Sequence, residues 1–504
     1  MTSPVLSTTD LPTDLYVAEQ VRQLDRCAID EHDVAGILLM KRAGRAAFEA
    51  LLKRWPEPEA ITVVAGSGNN GGDGYVVAGL AAQRRIPVNV YYVADPEKLQ
   101  GDAKAAYEFA RREGVIMQPF SECKSPQGVV VDAMLGTGLS GEVREPYAQA
   151  IRLINASGQP VVALDLPSGL CADTGRSLGE TVKAQLTITF IGMKQGLLTG
   201  RGPAMTGELR FASLQAPEAI YATQTATTQR LRLADLLERL PERDQDAHKG
   251  SFGHTMVIGG DYGYAGAALM AAEAAARLGS GLTSVATQPE HVSPMIARRP
   301  ELMVLGVPSG QALEPLLERP TVLVLGPGLG QTPWSEQMLQ QAAKTELPMV
   351  IDADALNLVA AGRVLPNPQR NNWILTPHPG EAARLLDCTT AEVQADRFAA
   401  VAKLQERYGG TVILKGAGTL VASGGQVSLA NVGNPGMATG GMGDVLSGVL
   451  GALLAQGMDA MTAAQLGVCL HGEAADLAVQ DDGVRGLLPT DLLPYLRQLL
   501  NGVR

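Results

Sequence analysis

Residues 61–74 read Ile61-Thr62-Val63-Val64-Ala65-Gly66-Ser67-Gly68-Asn69-Asn70-Gly71-Gly72-Asp73-Gly74. Five apolar or β-branched residues without polar alternation suit a strand buried on both faces of a parallel sheet. The glycines after it suit a tight strand-to-helix turn, in which Gly66, Gly68 and Gly71 have the GxGxxG spacing. Such a turn lets backbone N–H groups approach an anion at a helix N-terminus. A tight turn with no ligand has the same sequence, so the motif gains its meaning from its neighbours.

Working outward, short β-branched runs recur at 88–93, 129–132, 161–165 and 186–190, each followed by an Ala-rich, helix-compatible segment. Two helices, 17–29 and 36–55, are expected before this sheet. At 222–229 the chain becomes Ala222-Thr223-Gln224-Thr225-Ala226-Thr227-Thr228-Gln229, small and polar with neither period, which reads as a linker. A second alternating series follows at 255–259, 282–286, 322–326, 349–352, 373–376, 412–415 and 419–422, the last two as a hairpin around Gly416-Ala417-Gly418. Strand–helix alternation predicts three-layer packing, and 504 residues exceed what one core supports. The expected fold class is α/β, with two three-layer αβα domains over 1–222 and 230–504.

Composition excludes several classes. With 46% hydrophobic and 18% charged residues the chain is globular, not disordered. Lys and Arg total 41 against 52 Asp and Glu, a net charge of −11, which argues against nucleic acid or an anionic membrane as partner. The most apolar stretch, 445–458, is interrupted by Ser447, Gly448, Gly451, Gln456 and Gly457 and is shorter than the ~18 residues of a membrane span. The first residues have no basic-then-apolar leader pattern. A soluble, cytoplasmic protein is expected. Cys27, Cys123, Cys171, Cys388 and Cys469 lie far apart with no CxxC pair, so neither a disulfide framework nor a zinc site is expected.

Two more strand ends have the same character as the first. The third strand runs into Asp132-Ala133-Met134-Leu135-Gly136-Thr137-Gly138 and the fourth into Asp165-Leu166-Pro167-Ser168-Gly169. Ligands of open parallel sheets bind beyond the carboxyl ends of strands. Oxygens of Asn70, Asp132 and Ser168 suit a hard cation, while a single Asp at a strand end also reads as a helix cap. Through NNGGDG, DAMLGTGLSGEVREPY and DLPSG, residues 16–216 resemble the NAD(P)H-hydrate epimerase family, the YjeF N-terminal domain. The resemblance implies a Rossmann-like domain with K+ on Asn70, Asp132 and Ser168. It also implies substrate contacts from Asn69, Asn70, Gly71, Gly72, Asp73, Gly136, Thr137, Gly138, Leu139, Ser140, Gly141, Glu142, Tyr147 and Asp165. Of these, Asp165 would be the acid/base residue nearest the epimerised carbon.

The second series carries Gly259-Gly260-Asp261-Tyr262-Gly263-Tyr264-Ala265-Gly266-Ala267, Gly326-Pro327-Gly328-Leu329-Gly330, Asp352-Ala353-Asp354, Thr376-Pro377-His378-Pro379-Gly380-Glu381 and Lys415-Gly416-Ala417-Gly418-Thr419. Last comes Asn434 to Asp444, ending Gly440-Gly441-Met442-Gly443-Asp444 before an apolar helix. A glycine turn at a helix start offers free N–H groups to an anion, and an Asp at its end can take a hydroxyl proton during phosphoryl transfer. Alone, that Asp reads as a cap. Residues 231–504 resemble the ribokinase-like superfamily, specifically the ADP-dependent NAD(P)H-hydrate dehydratase family. The sequence Gly441-Met442-Gly443-Asp444 departs from the GAGD of many sugar kinases towards the dehydratase pattern. The resemblance implies that Ala267, Gly330, His378 and Asp444 meet the hydrated dinucleotide, with Asp444 catalytic. It implies that Lys415, Gly416, Ala417, Gly418, Thr419 and Gly443 meet the adenine nucleotide, with Mg2+. No GxxxxGK[ST] occurs, so this is not a P-loop protein. His378, between two prolines, reads equally as a loop residue, and the other histidines lack metal-ligand spacing.

The expected function is repair of NAD(P)H hydrate: interconversion of its R and S forms, then dehydration of the S form at the expense of ADP, giving AMP and phosphate. NAD(P)H hydrate and ADP are the expected partners, and a homo-oligomer the expected assembly. Two alternatives use the same loops. One is a Rossmann dehydrogenase fused to a small-molecule kinase, for which the ribose-binding acid is poorly placed, Asp95 lying farther than about 20 residues beyond the loop. The other is a non-catalytic dinucleotide sensor.

Overall fold

The computed structural model describes residues 7–8, 10–365 and 368–502. The chain divides into two compact units, Met1–Gln229 and Arg230–Arg504.

In the first unit an eight-stranded sheet runs in the order Ser7–Thr8, Glu208–Ala212, Leu186–Phe190, Val161–Leu164, Val129–Ala133, Ile61–Ala65, Val88–Tyr92, Ile116–Pro119. Every ladder is parallel except that of Ser7–Thr8. Ile61–Ala65 and Val129–Ala133 are buried at every position, as period-free apolar runs require. The helices Ala18–Asp30 and Gly36–Arg54 precede the parallel strands of this sheet and present Val21, Leu24, Leu39, Phe48 and Leu51 to its core. Each such side chain contributes about 1.5–3 kcal/mol on burial. Strand order reverses between Ile61–Ala65 and Val129–Ala133, which opens a crevice at their carboxyl ends.

Three local expectations are corrected. Ile116–Pro119 is an additional strand, so Val129–Ala133 and Val161–Leu164 follow it and are not third and fourth in the main series. It is an edge strand with Ile116 exposed, and so lacks the doubly buried pattern. The Asn69–Asp73 stretch is not a loop but the first turns of the helix Asn69–Gln83. Glycine is obligatory at this joint, since a Cβ on Gly71 would stand 2.2 Å from the Gly66 carbonyl oxygen. Finally, 222–229 is no free linker. Glu218–Thr223 is a 3-10 helix, and Thr228–Arg230 pairs antiparallel with Asp14–Tyr16. The threonine hydroxyls there serve packing, with Thr227 and Thr228 both donating to Gln195 Oε1 at 3.1 and 3.0 Å.

In the second unit the strands lie in the order Met303–Gly306, Leu282–Thr287, His254–Ile258, Val322–Leu325, Met349–Ile351, Trp373–Leu375, Thr411–Leu414, Thr419–Ser423, Gln426–Ala430. The ladders are parallel as far as Thr411–Leu414, and the last two strands add an antiparallel meander. Order reverses between His254–Ile258 and Val322–Leu325. The helix Met442–Ala455 is buried along nearly its whole length, as its all-round apolar sequence demands. Both units are thus three-layer α/β structures. Among the described residues no helix is long and apolar enough to cross a membrane, and all five cysteines are free.

Candidate active sites

At the first crevice lies a cavity of about 630 Å³. Of the expected residues, Asn69, Asn70, Asp73, Gly136, Thr137, Gly138, Leu139, Ser140, Tyr147 and Asp165 line it, whereas Gly71, Gly72, Gly141 and Glu142 do not. Asp165 has φ +66, left-handed backbone that a non-glycine residue adopts at a cost. Its Oδ1 is ion-paired with Lys194, whose ammonium also donates to Thr189 Oγ1 (3.1 Å) and the Phe190 carbonyl (2.9 Å). Lys194 is only 1% exposed.

Three carboxyls surround this one ammonium. Burial, reinforced by Asp165 and Asp25, raises Asp73 well above the usual carboxylate range. Burial likewise pushes Asp25 up to about 6, Lys194 opposing and Asp165 assisting. Neither Asp25 nor Lys194 was among the residues expected from sequence. The available signals were an acid at an inward position of Ala18–Asp30, between buried Leu24 and Cys27, and a lysine just after a fully buried strand.

Asp132 and Ser168 are fully buried and outside the cavity lining. Asp132 Oδ1 accepts from the Ser168 hydroxyl and the Met134 N–H, and Oδ2 accepts from the Ser168 N–H. Burial pushes Asp132 up to about 6, with these hydrogen bonds opposing. Neither side-chain atom of Asn70 has a partner although both are buried. An orphaned amide oxygen, a carboxylate without a cationic partner and a hydroxyl make an all-oxygen donor set that fits a hard monovalent cation.

The second site is organised on Asp352, 1% exposed at the end of Met349–Ile351. Its Oδ1 accepts from Lys415 Nζ (2.8 Å) and Thr376 Oγ1 (2.7 Å), its Oδ2 from Ser447 Oγ (2.9 Å). Burial opposes the charge, but Lys415 and the two hydroxyls hold Asp352 below its ordinary value. Above this pair sits Gly443, where a Cβ would stand 3.1 Å from Lys415 Nζ and 3.3 Å from Asp352 Oδ2.

Asp444 is the third residue of Met442–Ala455, whose N-cap is Gly441 at φ +98. No side chain caps this helix, so Asp444 is not the cap that its position alone allowed. Its carboxylate makes no hydrogen bond or ion pair among the described residues. A first-turn acid is favoured by the helix dipole, yet burial, then Asp352, raise Asp444 to about 7 against the pull of Lys415. Glu381, 3.9 Å from Lys415, is likewise raised to about 7, chiefly by burial.

His378 has a structural duty. Its Nδ1 accepts from the Gly380 and Glu381 N–H groups, and its own N–H donates to Glu381 Oε2, so the two close the N-terminus of Pro379–Leu386. Arg397, missed from sequence, shapes the Lys415–Thr419 turn by donating to the carbonyls of Leu414, Lys415 and Gly418. Ala267 is the third residue of the helix Ala265–Arg277 and Gly330 lies on the loop after Val322–Leu325; their segments meet at the switch point, where Asp261 N–H donates to the Gly328 carbonyl at 2.7 Å. Gly330 is tied to this centre through Asp354, which accepts from its N–H at 2.9 Å and whose charge acts on Asp444.

Two family models match the chain. The one described as YjeF-related protein N-terminus covers residues 36–196, and the one described as NAD(P)H-hydrate dehydratase covers 255–498. The bifunctional NAD(P)H-hydrate repair enzyme Nnr of Coxiella burnetii is 50% identical over 491 residues, 97% of this chain and 100% of that one. Its namesake from Vibrio cholerae is 43% identical over 493 residues, 97% and 99% of the two chains. A crystal structure of a ribokinase-like superfamily protein from Enterococcus faecalis is 31% identical with TM-score 0.50, over 55% of this chain and 97% of that one. With nearly full-length likeness and both crevices built from the matching motifs, the chain belongs to the family of bifunctional NAD(P)H-hydrate repair enzymes.

Proposed function

We propose that the first unit interconverts the R and S forms of NAD(P)H hydrate and that the second dehydrates the S form at the expense of ADP, giving NAD(P)H, AMP and phosphate. The hydrate carries a hydroxyl on the ring carbon next to the ring nitrogen. Such a carbon inverts by losing its hydroxyl as water and regaining water on the other face. The nitrogen lone pair stabilises the cation between, and Asp165, ion-paired with Lys194, is the carboxyl that exchanges the proton. Asn70, Asp132 and Ser168 would hold K+, which supplies a fixed positive charge beside the pocket when bound.

In the second unit the S hydroxyl attacks the terminal phosphorus of ADP while Asp444 takes its proton. An O–P bond forms and AMP leaves. Phosphate then departs with the C–O electron pair, the ring nitrogen assists, and loss of a proton from the adjacent carbon restores the double bond. The free N–H groups of the first turn after Gly441, with Lys415, hold the transferring phosphoryl group. Among the described residues no three His, Cys, Asp or Glu are arranged as a metal cage. Mg2+ needs none, since it arrives on nucleotide phosphates.

What supports this function most directly is Asp444, an unbonded carboxylate beside an uncapped helix N-terminus and an ammonium. The experiment is recovery of reduced-nicotinamide absorbance from hydrated NADH plus ADP, for the whole chain and for 1–229 and 230–504 expressed separately. The second fragment alone should recover only the S form, and adding the first should recover the rest. No recovery by the whole chain, or reduction of other substrates with added NADH, would refute the function.

A further inference from the structure

We propose that Asp25 is a second proton-transferring carboxyl of the first site, working with Asp165 on the hydroxyl-bearing carbon. This rests on the epimerase function above and adds a residue to it.

Val21, Arg22, Asp25 and Ile29 line the cavity from one face of Ala18–Asp30, as their spacing dictates. Arg22 on that face is occupied, its guanidinium donating to Glu19 and to the Thr137 carbonyl at 2.9 Å. Asp25 makes no hydrogen bond or ion pair among the described residues. Facing it are Asp73 from Asn69–Gln83, Asp165 after Val161–Leu164, Lys194 from Met193–Lys194 and Tyr221 from Glu218–Thr223. Tyr221 donates its hydroxyl to the Ile191 carbonyl, and Lys194 is bound to Asp165, Thr189 and Phe190. The nearby ammonium is therefore committed to Asp165. Asp25, raised to about 6 chiefly by burial, keeps its proton to higher pH than an ordinary aspartic acid. One unpartnered carboxyl and one bound to an ammonium, lining the same cavity, are suited to the acid and the base role respectively.

In the forward step the Asp25 carboxyl gives its proton to the substrate hydroxyl. The C–O bond breaks with its electron pair on oxygen, and water leaves a ring cation. Water then adds on the other face, forming a new C–O bond and yielding its proton to Asp165. The reverse step exchanges the roles, and the proton returns to Asp25 through water in the cavity.

The test compares full-length protein with Asp25→Asn and Asp25→Glu, following exchange of resolved R and S hydrates across pH 5–8 after subtraction of the enzyme-free rate. The parent's kcat/KM for R-to-S exchange should fall above pH about 6. Asp25→Asn should lower exchange by about 10²–10⁴ and abolish that limb. Asp25→Glu should restore part of the rate together with a limb. A cooperative urea transition of the first unit, with unchanged ADP-dependent recovery from the S form, shows that each variant is folded. Exchange by Asp25→Asn within threefold of the parent overturns the proposal, and so does a lowered rate that keeps the limb near pH 6. Absence of enzymatic exchange in the parent itself refutes the epimerase function instead.

Discussion

Ser168 donates its hydroxyl to Asp132 Oδ1 at 2.6 Å and its backbone N–H to Oδ2 at 2.8 Å, so one serine engages both oxygens of a wholly buried carboxylate. Among the described residues no cationic side chain acts on Asp132, and the buried Asn70 amide is unpartnered. A bound K+ would supply the counter-charge of Asp132 and engage the Asn70 Oδ1. Asp132→Asn keeps the side chain's size but removes its charge. Epimerisation should fall and lose its response when K+ is titrated against Li+, with ADP-dependent recovery from the S form unchanged. A normal K+ response in the variant would remove Asp132 from the cation site.

What the sequence made legible follows from burial. Ile61–Ala65 and Val129–Ala133 are legible as doubly buried strands because the runs are short, rich in β-branched residues and closely followed by glycine. Ile116–Pro119 lies at an edge, where packing on one side leaves no such signature. The glycine motifs marked both crevices because backbone must approach backbone there. Asp352 went unassigned although its motif stood in view. Its partners Thr376, Lys415 and Ser447 lie 24, 63 and 95 residues away, and only the parallel sheet brings them together. Asp25 and Lys194 look like ordinary solvated charges until the cavity places them.

Asp25 also has a stability signature. Its folded pKa is raised from 3.8 to about 6, so ionisation opposes folding. The penalty is absent below the unfolded value, grows as pH rises through about 6, and is complete above it. It amounts to at most about 3 kcal/mol. Asp25→Asn should therefore stabilise the first unit at pH 8 by up to that amount and give no gain near pH 3.5, as urea unfolding at the two pH values would measure. A proton-transfer group retained at such a cost is a functional compromise.

Lys415 and Asp352 form the converse case, a buried pair in which each charge needs the other. Lys415→Met leaves Asp352 ionised without a counter-charge, at a cost of about 3–5 kcal/mol. Adding Asp352→Asn should return most of it, since an amide can still engage Thr376 and Ser447. Dehydration should be lost in both variants while epimer exchange persists. Equal stability of the single and double variants in urea would show that the pair is not coupled.

Asp444→Asn separates chemistry from architecture. The carboxylate caps nothing and makes no hydrogen bond among the described residues, so the variant loses no contact and the turn at Gly441 stays intact. It does lose the basic oxygen that accepts the substrate proton, which typically costs about 10²–10⁴ in rate. The pH dependence supplies a sharper sign. A base raised to about 7, by burial first and Asp352 second, is half protonated there. In the parent, kcat/KM for ADP-dependent recovery should rise from pH 6 to 8 with a midpoint near 7. In Asp444→Asn that rise should vanish, leaving a low, flat profile with epimer exchange unaffected. The same raised pKa means that ionised Asp444 opposes folding, so the variant should be at least as stable as the parent above pH 7. Near-parental recovery of NADH, or a slow variant that keeps the rise through pH 7, would assign the proton to another group, and Glu381, also raised to about 7 and 3.9 Å from Lys415, would be next to replace.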